Sequence, residues 1–195
     1  MKQKLLDYFS KFRPLDTNEI EIITKDLNIV SFEKGSVLLR AGQKAFDNYF
    51  VLQGCVRQYT LKAGKEYISN FYAEEDWILP AIGSENQVTA SYFLDCVENC
   101  IMVVANDNAG NEMLRNNATF QELAQLILQG EILKQQQHFI AYQSSTPEER
   151  YLNLQKTRPD LIERVPQFQL SSYLGVKPES LSRIRKRIID KQRKG

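Results

Sequence analysis

The segment Gln169–Ile188 constrains this chain more than any other, because two apolar helical patterns there are separated by one glycine and one proline. Leu170 and Leu174 form an i, i+4 apolar pair on a first helix, and Ser171 is small where a second helix must approach. Gly175 can take the left-handed backbone that ends the first helix. Pro178 suits the first turn of the next, where its missing N–H costs nothing. Leu170, Leu174, Gly175, Val176, Leu181 and Ile184 are therefore the expected core of a helix-turn-helix.

In such a motif the N-terminal residues of the second helix meet base edges in a major groove. Glu179 can accept from cytosine N4, Ser182 can bond either type of base, and Arg183 can donate twice to guanine O6 and N7. Lys177, Ser180, Arg185, Lys186, Arg187 and Lys191 are expected to contact phosphates or support the readers. Charge agrees. The net charge is only +1, yet Val165–Gly195 holds eight Lys/Arg against two acids, so a basic tail follows an acidic body. Basic clusters concentrate at phosphate backbones because they displace condensed counterions.

Upstream, Leu5, Leu6, Tyr8, Phe9 and Phe12 suit a short amphipathic helix that Pro14 interrupts, and Asp16 to Glu19 reads as a capping box. From Ile29 to about Asn106, short runs rich in Val, Ile, Tyr and Phe alternate with polar turns, and Ala63-Gly64-Lys65 reads as a hairpin turn. Many short strands at this spacing predict an antiparallel sandwich or barrel. A long helix follows. Its Phe120, Leu123, Ile127 and Leu133 lie near a 3–4 residue period, which fits a seam with a second copy of the chain or packing against the chain's own β domain. Ser144 to Pro147 forms a hinge before a new helix start, with Glu148 and Glu149 in its first turn.

Enzyme chemistry finds little support. One histidine, His138, excludes most metal and triad sites, and no nucleophile elbow, phosphate loop or dinucleotide fingerprint occurs. No cofactor is expected. No apolar run is long enough for a membrane span and no signal peptide opens the chain, so a cytoplasmic location is expected. Cys96 and Cys100 read either as a redox pair or as small residues at the edge of a β core.

Taken together, these motifs resemble the Crp/Fnr superfamily, the relatives of the cyclic AMP receptor protein and the fumarate-nitrate respiration regulator, over nearly the whole chain. The carrying segments are Phe32 to Leu38, Arg40 to Gln43, Asn48 to Arg57 and, most specifically, Leu174 to Arg183. The pattern Glu179-x-x-Ser182-Arg183 is closer to the fumarate-nitrate branch. The resemblance implies an α+β protein. Its parts would be an antiparallel, jelly-roll-like β-roll of the cyclic-nucleotide-binding type over 1–116, a long dimerisation helix over 117–143 and a helix-turn-helix domain over 144–195. It further implies a homodimer on near-palindromic double-stranded DNA, with RNA polymerase and an unidentified small-molecule effector as further candidate partners.

The chain departs from the family in three places. Cyclic-nucleotide members pair the phosphate with an arginine, because a buried phosphate charge must be paired. Residues 73–93 contain no Arg or Lys, and Glu74, Glu75, Asp76 and Glu85 would repel a phosphate. Cys55, Cys96 and Cys100 do not make an N-terminal cluster site. The sequence ends at Gly195, which leaves no room for the β-hairpin wing common in the family, so Lys191, Arg193 and Lys194 are expected to take over its phosphate contacts. A competing reading is a ligand-sensing module that acts through protein partners, its helix-turn-helix serving as the interaction surface.

Overall fold

The computed structural model describes residues 1–25, 27–44, 47–79, 89–106 and 118–193. The chain divides into two compact units, Met1–Thr60 with Asn70–Leu133, and Leu61–Ser69 with Lys134–Gly195.

The first unit opens with helices α1 (Lys2–Ser10) and α2 (Thr17–Lys25). The expected capping box forms: the Glu19 N–H donates to Asp16 Oδ1 at 2.8 Å, and the Asp16 N–H donates to Glu19 Oε2 at 2.9 Å. Among the described residues eight strands follow, β1 (Ile29–Phe32), β2 (Val37–Leu39), β3 (Asp47–Gln53), β4 (Val56–Lys62), β5 (Lys65–Tyr72), β6 (Trp77–Ile78), β7 (Phe93–Cys96) and β8 (Cys100–Asn106). They form two four-stranded sheets, in the orders β1-β8-β3-β6 and β2-β7-β4-β5. The described pairings, β1–β8, β3–β8, β3–β6, β2–β7 and β4–β7, are all antiparallel.

Strand β3 explains why the roll holds. Its alternate residues serve two cores, as a period of two requires. Tyr49 and Val51 join Leu39, Val56, Leu94, Cys96 and Met102 between the sheets. Phe50 and Leu52 point the other way, onto Leu5, Tyr8, Phe9 and Ile23 of the first two helices. Buried on both faces, β3 reads as a continuous apolar run, Tyr49-Phe50-Val51-Leu52. The turn into β4 needs Gly54, whose φ is +106° and where a Cβ would lie 2.6 Å from Cys100 Sγ. Across β4 and β7, Arg57 Nε donates to Asp95 Oδ1 at 2.7 Å in a nearly buried pair.

Helix α3 (Ala118–Ser144) changes one expectation. Phe120, Leu123 and Ile127 are buried in the same core as Phe50 and Tyr8, so these three pack on the chain's own roll rather than forming a seam with a second copy. Leu133, the fourth residue of that set, is 54% exposed. Its apolar companions in the open are Leu126, Leu128, Ile132, Phe139 and Ile140. A helix with one face on its own domain must keep any partner surface on another, and Leu126, Leu133 and Ile140 share one by their sevenfold spacing.

Because Phe50 is fully buried between α1 and the sheet, Phe50→Ala is expected to destabilise the chain by about 3–5 kcal/mol, read from the shift of a urea unfolding midpoint at constant slope. A loss below about 1 kcal/mol would refute the two-core role of β3.

Candidate nucleic-acid interface

The second unit contains helices α4 (Pro147–Thr157), α5 (Pro159–Arg164), α6 (Gln167–Tyr173) and α7 (Pro178–Gln192). Helix α4 starts as the sequence suggests. Thr146 caps it, the Glu149 N–H donates to Thr146 Oγ1 at 3.3 Å, and the Thr146 N–H donates back to Glu149 Oε2 at 2.7 Å.

Helices α6 and α7 are the predicted helix-turn-helix. Leu170, Leu174, Leu181 and Ile184 are buried between them, and Val176 is half-buried. Gly175 takes φ +70°, and a Cβ there would collide with the Tyr142 hydroxyl. The turn is therefore seated as well as bent. The Arg150 guanidinium lies 4.1 Å over the Tyr142 ring and donates to the Leu174 carbonyl at 2.8 Å. Two serines fix α6: Ser171 Oγ donates to the Phe168 carbonyl at 2.8 Å, and Ser172 Oγ accepts from the Ile68 N–H and donates to the Glu66 carbonyl, both at 3.1 Å. Tyr173 stacks on His138 with ring centroids 5.6 Å apart, its hydroxyl 2.9 Å from Nε2.

The outer face carries the expected readers. Glu179, Ser182 and Arg183 are all exposed on the first two turns of α7, and Arg183 Nη2 donates to Ser180 Oγ at 3.3 Å. Lys177 is the exposed N-cap residue, Lys186 is exposed, and Arg185 is half-buried. Arg193 is the C-cap residue, and Lys194 lies outside the described residues.

Sequence reasoning missed two members of this surface. The first is Glu148, read only as an acid at a helix start. Its carboxylate accepts from Arg187 Nη1 at 2.8 Å and from Lys191 Nζ at 2.7 Å, which holds it below the usual carboxylate range, Lys191 first and Arg187 next. Two residues expected at phosphates thus already share an anion. The second is Phe168, 58% exposed, which lines an open groove of about 580 Å³ with Gln167, Pro178, Glu179, Ser182 and Arg183. The available signal was an aromatic residue outside the Leu170/Leu174 stripe.

In the roll, a concavity of about 370 Å³ is lined by Leu39, Lys44, Asp47, Tyr49, Ile78 and Tyr92 among others. Three of the acids expected to repel a phosphate also have structural duties. Glu74 accepts from the Gly54 N–H at 2.9 Å, Asp76 from the Ala73 N–H at 2.9 Å, and Glu75 pairs with Lys11. Glu85 lies outside the described residues. Cys55, Cys96 and Cys100 are buried free thiols. The Cys96–Cys100 hydrogen bond and burial together push the Cys96 thiol upward. Among the described residues no His/Cys/Asp/Glu group could hold a metal ion, and no helix is long and apolar enough to cross a membrane.

No family model matches the sequence, and no curated protein matches it. Solved structures do. FixK2 from Bradyrhizobium japonicum aligns with a TM-score of 0.69 at 16% identity over 86% of each chain. A cyclic nucleotide-binding domain containing protein from Listeria monocytogenes EGD-e aligns at 0.67 and 14% identity, over 98% of this chain and 92% of that one. The c-di-GMP responsive global regulator CLP of Xanthomonas campestris aligns at 0.65 and 14%, over 91% and 93%. The chain therefore has the Crp/Fnr-type fold: antiparallel sheets forming a cyclic-nucleotide-binding-like roll, followed by a helical C-terminal region.

Partial desolvation lowers the pKa of His138, whose ring stacks on Tyr173, from its ordinary 6.5, so the folded chain binds this proton less readily than an unfolded chain does. The unfolded state then binds more protons, and stability should fall as pH drops through 6.5. Denaturant unfolding at two pH values either side of 6.5 tests this. The wild type should lose more stability on acidification than His138→Phe; equal losses would remove His138 as the cause.

Proposed function

We propose that the chain is a homodimeric, DNA-binding transcription regulator of the Crp/Fnr type, not an enzyme, and that α7 lies in the major groove of near-palindromic sites. The observation that carries this reading is the solvent-facing set Glu179, Ser182 and Arg183, held on a helix whose entry is locked by Gly175, Tyr142 and Arg150 and flanked by exposed basic residues. Base edges require donors and acceptors held in register, and phosphates require cations beside them. This surface offers both. The similar Xanthomonas protein is named as a global regulator, which agrees. The open stripe Leu126, Leu133 and Ile140 on α3 is the surface we assign to the second copy.

Selection of bound duplexes from a random pool tests the whole reading, because it reports sequence, symmetry and spacing together. Two inverted half-sites about 10 base pairs apart, centre to centre, are expected of a dimer. Arg183→Ala should relax the preference at one base pair per half-site and cost about 1–3 kcal/mol there, whereas Lys186→Ala should weaken all sequences alike. Recovery of no sequence, with no salt-sensitive binding to any duplex, would favour the protein-partner alternative.

The effector we propose for the roll is not a cyclic nucleotide. Residues 73–93 supply no Arg or Lys for a buried phosphate, and among the described lining residues of the concavity the cation Lys44 is matched by the acid Asp47. Titration calorimetry with cyclic AMP and cyclic GMP should show no micromolar binding; saturable binding of either would overturn the proposal.

A further inference from the structure

Phe168 is the most exposed large apolar side chain of the helices from Pro147 to Gln192, at 58% against 46% for Ile189 and 40% for Leu152. It is the second residue of α6, the helix before the reading helix, and its place there is fixed. The Ser171 hydroxyl donates to the Phe168 carbonyl at 2.8 Å, while the next residues, Gln169, Leu170 and Ser171, are buried. Its ring therefore stands on a rigid turn facing solvent. With Pro178 it forms the apolar part of a groove whose remaining wall is Gln167, Glu179, Ser182 and Arg183. An aromatic ring in water beside three base-reading side chains needs an apolar partner that arrives with the bases. The major groove of unmodified B-DNA presents one apolar group, the 5-methyl of thymine.

We propose that Phe168 is a specificity-determining residue that packs on one thymine methyl per half-site, next to the base pair read by Arg183. This rests on the DNA-binding reading of α7 and adds to it a contact from the preceding helix. It makes the site sensitive to a methyl group rather than to hydrogen bonding, so thymine and uracil, which pair identically, become distinguishable. Burying one methyl-sized group corresponds to about a fourfold change in affinity.

The test uses the full-length protein and the duplex recovered by selection. Each thymine of one half-site is replaced in turn by deoxyuridine, and binding is measured by fluorescence anisotropy for wild type, Phe168→Leu and Phe168→Ala. The wild type should lose about fourfold at one thymine and little at the others. Phe168→Leu should keep most of that loss. Phe168→Ala should bind thymine and uracil duplexes equally, with wild-type affinity for the uracil one. Uniform indifference of the wild type to the methyl, or an undiminished loss in Phe168→Ala, overturns the proposal while leaving base reading by α7 intact. A protein that selects no sequence fails the base-reading proposal and this one with it.

Discussion

The roll depends on β3 being buried on both faces. Most strands of a small antiparallel sheet show one face to water, and a slip of one residue turns their single apolar face outward. In β3 the two faces feed different cores, Tyr49 and Val51 between the sheets, Phe50 and Leu52 beneath the helices. A slip would carry Gln53 inward and strand both cores at once. Its partner β8 is held to the same register, with Tyr49 opposite Val104 and Phe50 opposite Val103. The sharp exit at Gly54, with Cys100 behind it, leaves no space for a side chain at that position. The helices then have a defined apolar surface to cover, which is where the start of α3 goes.

The same economy governs the second unit. A helix-turn-helix reads bases only if its second helix leaves the turn at one angle, and Gly175 alone would permit many. The Tyr142 hydroxyl, packed where a Cβ would be, and the Arg150 guanidinium bonded to the Leu174 carbonyl remove that freedom. The exposed side chains of α7 inherit their positions from this buried support. A reader placed 1 Å wrong makes no bidentate bond.

What could be read in advance was whatever depends on neighbours in sequence. The alternating strands, the capping box at Asp16, the helix start after Ser144 to Pro147, the Gly175 turn and the exposed polar face of α7 all follow from residues within a few positions of one another. The fate of Phe120, Leu123 and Ile127 did not, because a helix packing on its own sheet and a helix packing on a twin obey the same 3–4 residue period. Only the presence of Phe50 and Tyr8 beneath them decides it. Glu74 and Asp76 looked like free negative charge, and they turned out to accept from the backbone N–H groups of Gly54 and Ala73. The meeting of Glu148 with Arg187 and Lys191 spans 39 and 43 positions, so no local pattern could announce it.

That meeting has a consequence for how the protein would search. On the DNA-binding reading, Arg187 and Lys191 reach a duplex already holding an anion, so engaging phosphate there is an exchange of partners. Glu148 behaves as a tethered competitor, present at a local concentration that dilution does not lower. It handicaps every sequence to the same degree, because phosphate contacts carry no sequence information. The carboxylate is bonded to Arg187 and Lys191, so the discrimination proposed for Glu179, Ser182 and Arg183 does not depend on that exchange. The effect would be shorter visits to the wrong places, with the ranking of right over wrong left unchanged.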